Sequence, residues 1–131
     1  MDQGPLVTEE IDAGAELARE FALYAPLKAA FWLKASDENQ RYLYLASDQI
    51  NDANIAKAYK EIMQLSNRMP SPYLDPFRVK VIGGSNPLAL AAVDMNRRFP
   101  GTMPTRFGGS SFGGMVVDDV YIYPTTLPVT A

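Results

Sequence analysis

The sequence predicts a small α/β or α+β domain: a four-stranded mixed sheet packed by helices. Three observations predict it. Apolar residues recur at helical spacing in three stretches, four short runs rich in aromatic and β-branched residues follow or separate them, and proline and glycine clusters divide the two kinds. The resulting order is α-β-β-α-β-α-β. A length of 131 residues suits one domain, 1–131, with residues 1–7 and 124–131 as tails.

Thr8-Glu9-Glu10-Ile11 opens the first helix. Thr8 can cap it, and the early acids suit the positive helix end. Ile11, Ala15, Leu17, Ala18, Phe21, Ala22 and Leu23 form its apolar stripe, and Pro26 ends it. Residues 28–35 and 41–46 read as two strands joined by the polar turn 36–40. Both are apolar on nearly every residue, so this hairpin is expected to be covered on both faces. Asn51 or Asp52 caps the next helix, with Ile55, Ala58, Tyr59, Ile62, Met63 and Leu65 on its buried side. Residues 69–76 form a stiff proline-rich connector, and 77–82 alternate as a strand. Ser85 or Asn86 caps the third helix, with Pro87 in its first turn. Residues 115–123 make the last strand, which Pro124 stops.

Composition narrows the chemistry. Cysteine and histidine are both absent, which removes disulfides, thiol nucleophiles, iron–sulfur ligation, Cys-type zinc sites and every histidine-based triad. The expectation is a protein without enzymatic activity, cofactor or metal. The net charge of −3 argues against broad nucleic-acid binding. Charge is uneven, however: the first helix carries Glu9, Glu10, Asp12 and Glu16, whereas residues 95–115 hold Arg97, Arg98 and Arg106 and no carboxylate. No apolar run approaches the ~18 residues of a membrane span. The acidic start, Met1-Asp2-Gln3-Gly4-Pro5, has no signal-peptide pattern, so the expected location is cytoplasmic.

Several motifs stand along the chain, each once: Ala-Phe-Trp-Leu at 30–33, Tyr-Leu-x-Leu-Ala-Ser at 42–47, Ala58-Tyr59 within a helix, Asn86-Pro87-Leu88 at a helix start, Arg106-Phe107 beside glycine, and Asp-Asp-x-Tyr-Ile-Tyr at 118–123. This pattern resembles a small bacterial domain family of unassigned activity over about residues 14–123. The resemblance implies a bacterial source and a shared fold rather than a mechanism.

Candidate working residues concentrate in the last third. Residues 101–114 include Gly101, Gly108, Gly109, Gly113 and Gly114 and read as a loop that is mobile alone and ordered by a partner. Phe107 and Phe112 would anchor that partner, Arg106 would sit at its rim, and Arg97, Arg98, Tyr121 and Tyr123 would extend the surface. The same arginines could clasp a phosphate or carboxylate, or simply complement the helix C-terminus. Gly84, Ser85 and Asn86, between a strand and a helix, could hold an anion or form a plain turn. Gly109-Ser110-Ser111-Phe112-Gly113 matches a nucleophile-elbow pattern literally, but a strand follows it where a helix is required. Asp118 and Asp119 could bind a metal, or pair with arginine; Asp118 is expected on an apolar face, partnered by Arg97, Arg98 or Arg106. Trp32, with Phe31, Tyr42, Tyr44 and Tyr59, reads as core.

The first functional reading is a protein-binding module whose partner is another protein or a second copy, giving a homo-oligomer. The alternatives are an anion, nucleotide or nucleic-acid binder at Arg97, Arg98, Arg106 and the glycine loop, and a carboxylate-metal enzyme at Asp118 and Asp119. Antitoxin, immunity and defence roles suit such a domain equally, and nothing in the sequence selects among them.

Overall fold

The computed structural model of the protein describes residues 6–101 and 103–124. The expected tails fall outside the described residues, except for their inner ends. Leu6, expected to fray, is instead buried in the core, and Pro124 is buried as well.

The elements are α1 (Thr8–Tyr24), β1 (Ala29–Ala35), β2 (Tyr42–Ser47), α2 (Ile55–Arg68), β3 (Val79–Gly83), α3 (Pro87–Arg98), β4 (Thr105–Phe107), β5 (Ser110–Phe112) and β6 (Met115–Ile122), with a 3₁₀ turn at Pro76–Arg78. The fold is α/β, with three helices on a mixed sheet of six strands rather than four. Strand order is β3-β2-β1-β6-β4, and β5 lies beside β6 as well. β2 and β3 are parallel, connected through α2; every other pairing is antiparallel.

β1 is buried along its whole length because helices cover both faces of the sheet. Alternation sends Ala30 and Trp32 to one face, where they pack with Ala18 and Phe21 of α1 and Ile62 and Leu65 of α2. It sends Phe31, Leu33 and Ala35 to the other, against Leu88, Ala89 and Ala92 of α3. Fully burying each large side chain of these two cores contributes about 1.5–3 kcal/mol. The continuous apolar runs of β1 and β2 follow directly from this sandwiching.

The helix ends are set locally. α1 starts as expected, but its cap position is Val7, not Thr8, and the Glu10 carboxylate reaches back to accept the Val7 N–H at 3.1 Å. Asn86 caps α3 by accepting the Leu88 N–H at 2.9 Å, with Pro87 next. α2 begins at Ile55, after a clasp in which Asn51 Oδ1 accepts the N–H groups of Ala53 and Asn54 while Asn54 Oδ1 accepts that of Asn51.

The expected mobile loop is a hairpin. Phe112 and Met115 pair across Gly113-Gly114, whose φ values of 59° and 85° give a two-residue turn that only glycine adopts without strain. Register is identical on both sides of residues 108–109, with Phe107 opposite Val120 and Ser110 opposite Val117. Gly108 lies where a Cβ would strike the Asp118 carbonyl. Residues 105–107 and 110–112 are thus strands where a loop was expected, and Gly108, Gly113 and Gly114 serve that pairing.

β6 also carries a bulge. Lys34 faces Asp119 and Ala35 faces Val117, so Asp118 is the extra residue. The bulge resets the alternation, and Val117, Val120 and Ile122 all reach the same core.

Candidate functional site

The bulge gathers charge at one end of the sheet. Lys34 Nζ donates to Asp118 Oδ2 at 2.7 Å, and Ser36 Oγ donates to Asp118 Oδ1 at 2.9 Å. Asp119 receives Arg106 bidentately, Nε to Oδ1 at 3.2 Å and Nη2 to Oδ2 at 2.9 Å, and Arg41 Nη2 at 3.3 Å. The array ties β2, β1, β6 and β4 together across the sheet. Lys34 and Ser36 hold the Asp118 carboxyl below its usual range, chiefly through their hydrogen bonds.

This arrangement corrects the expectation for Asp118. Its cation is Lys34, not Arg97, Arg98 or Arg106, and its side chain is 48% exposed. Asp119, at 19%, is the more buried acid and takes Arg106. The bulge, invisible to simple alternation, exchanges their environments. Both carboxylates are committed to cations, and among the described residues no group of three acidic side chains could hold a metal.

The other singled-out residues separate into core and surface. Phe112 is buried against Phe31 and Phe107, and Tyr123 is buried beneath α1, so neither can anchor a partner. Apolar neighbours on the sheet faces claim them. Trp32 Nε1 donates to the Tyr123 hydroxyl at 2.9 Å, and that hydroxyl donates to the Ile11 carbonyl. Burial pushes the Tyr123 hydroxyl far above the usual tyrosine range. Phe107 and Tyr121 are half-buried and packed against the two cores. Arg97 and Arg98 both pair with Asp94 at 3.0 Å on the exposed side of α3. At the Gly84-Ser85-Asn86 turn, the Asp48 carboxylate, paired with Lys28 at 3.4 Å, packs against Gly84. The chain thus places its own anion there. The structure brings Arg106 and Asp119 together, and leaves Arg97, Arg98 and the turn at Gly84 as separate features.

A different border presents unspent side chains. Asp75 Oδ1 accepts the Phe77 N–H at 2.9 Å and Pro76 follows, which fixes the 3₁₀ turn. Phe77 stands on that turn 79% exposed. Tyr59 and Met63, one helical turn apart on α2, are exposed too. The Tyr59 hydroxyl accepts the Val81 N–H at 2.9 Å, which sets this side of α2 along the outer edge of β3. Lys60, three residues before Met63, and Arg78, next to Phe77, bring positive charge to this border, alongside the carboxylates of Asp75 and Glu61. Sequence reasoning placed Phe77 in a strand and missed the border; the Asp75-Pro76 pair, a cap followed by a helix-starting proline, is the signal that marks the turn.

Comparison of the chain with protein-family models, with curated proteins and with solved structures finds no match. Among the described residues no helix is long and apolar enough to cross a membrane.

Proposed function

We propose that this chain is a non-enzymatic protein-binding module, and that it engages an acidic partner through the border of α2, the 3₁₀ turn and β3. The observation that carries the reading is Phe77: a large aromatic, 79% exposed, on a turn already fixed by its own cap and proline. A pre-ordered aromatic loses little entropy on binding, and aromatic and arginine side chains dominate interface energetics. Arg78, next to Phe77 in the chain, and Lys60 of α2 favour an acidic surface. The partner docks on side chains rather than by adding a strand, because Tyr59 already occupies the outward N–H of Val81. A second copy could supply the acids through α1, which carries Glu9, Glu10, Asp12, Glu16 and Glu20.

Isolation of the protein from its native cells at low salt tests the reading. Wild type should carry a stoichiometric polypeptide, the same chain or another, and Phe77→Ser should lose it while keeping its circular dichroism. A bound nucleotide in place of a polypeptide would contradict the proposal.

A further inference from the structure

A groove separates the start of α1 from the connector before β3. It encloses about 340 Å³, at the lower end of small-molecule sites. Trp32, buried to 2% exposure, reaches its floor at one edge, and Glu10, Tyr73, Asp75 and Arg78 stand around it. Tyr73 is held by a proline-flanked turn in which its N–H donates to Ser71 Oγ at 3.1 Å.

The charges here are fixed but not spent. Glu10 and Asp75 each use one oxygen on a backbone N–H, that of Val7 and that of Phe77. Among the described residues the second oxygen of each accepts no hydrogen bond, and the half-buried Arg78 guanidinium makes no hydrogen bond or ion pair. Two anchored acids and one planar cation therefore line an aromatic-walled space. A simple anion meets two carboxylates there, and a simple cation leaves Arg78 unmatched. A zwitterion satisfies both signs.

We infer that this groove binds a free α-amino acid with an aromatic or large apolar side chain. Its carboxylate meets Arg78 in the bidentate geometry that guanidinium favours. Its ammonium meets Glu10 and Asp75, and its side chain packs on the exposed Tyr73, against the buried edge of Trp32. The inference shares Arg78 with the protein-binding reading but is tested on the isolated chain, so the failure of one is distinguishable from the failure of the other.

Trp32 is the sole tryptophan, so its emission reports the site directly. The experiment titrates the purified protein with L-phenylalanine, N-acetyl-L-phenylalanine and phenethylamine, reading tryptophan emission and calorimetric heat together. L-Phenylalanine should give a saturable response. The acetylated acid, lacking the ammonium, and the amine, lacking the carboxylate, should each bind at least about tenfold more weakly, the equivalent of one lost interaction of 1.4 kcal/mol. Arg78→Met should abolish the response without moving the melting temperature. No saturable emission change or heat with L-phenylalanine, L-tyrosine or L-leucine would overturn the inference. Equal binding of the acetylated acid would overturn it too, pointing instead to a polypeptide C-terminus, as would a full response in Arg78→Met.

Discussion

Trp32 donates its indole N–H to the hydroxyl of Tyr123 at 2.9 Å inside the core. The same hydroxyl donates to the Ile11 carbonyl, so one polar atom joins β1, the end of β6 and α1. Gly14 of α1 passes so close that a Cβ there would meet Tyr123 Oη and lie 2.9 Å from Trp32 Nε1.

Tyr123→Phe should leave the indole N–H and the Ile11 carbonyl short of a partner, at a cost of about 1–3 kcal/mol in urea unfolding. Gly14→Ala should also destabilise, against the ~0.5–1 kcal/mol gain that Gly→Ala brings in an ordinary helix interior. In the double variant the Gly14→Ala penalty should shrink, since the obstructing oxygen is gone. Additive penalties would show that the two sites do not share this contact.

Asp119→Asn should cost far more than Asp118→Asn. Asp119 serves the buried Arg41 as well as Arg106, so its loss approaches the ~3–5 kcal/mol of a broken buried pair. Asp118 is half-exposed, so water can reach its place at Ser36, although Lys34 beneath it is buried and keeps part of the cost. Thermal melting of the two variants side by side checks the ranking; equal shifts would mean that the bulge does not partition the acids in this way.

How much was legible follows from these residues. The helices, the buried hairpin and the Asn86-Pro87 helix start were readable because each depends on local pattern: a stripe, an apolar run, a cap with proline. The sheet was undercounted because β4 and β5 contain only three residues each and are written in Gly, Ser, Thr, Arg and Phe. Their pairing is dictated by the Gly113-Gly114 turn and by β6, and glycine as turn residue looks the same in sequence as glycine in a loop. The bulge at Asp118 was hidden for a similar reason, since it depends on register against β1. Lys34, alone in the run Ala-Ala-Phe-Trp-Leu-Lys-Ala, was the readable hint that an acid must lie opposite.

Amide exchange should therefore protect residues 105–107 and 110–112 in the isolated protein. Gly108→Ala should reduce that protection, because its Cβ meets backbone at Asp118, which cannot rotate away. Fast exchange across the whole segment in wild type would show that the hairpin forms only with a partner.

Stability should fall at high pH. Burial raises the hydroxyl pKa of Tyr123, Tyr44 and Tyr121 in the fold. Unfolded tyrosines ionise near pH ~10, so the neutral buried hydroxyls contribute fully below that value and their contribution is lost as pH rises through the folded pKa values. The urea midpoint should drop above pH ~10, and Tyr123→Phe should flatten the drop most. Asp118 acts in the opposite direction: its depressed pKa contributes above pH ~4 and is lost as pH falls through the folded value.

The central claim is that Phe77 anchors a protein partner. The most direct measurement is the dissociation constant of the complex with the polypeptide isolated from native cells, for wild type, Phe77→Ser and Leu90→Ser. Leu90 is 50% exposed on α3, which covers the opposite face of the sheet from α1 and α2, and controls for loss of a surface apolar group. Phe77→Ser should weaken binding at least about tenfold while Leu90→Ser leaves it unchanged. Equal affinities for all three proteins, or equal losses in the two variants, would contradict the account.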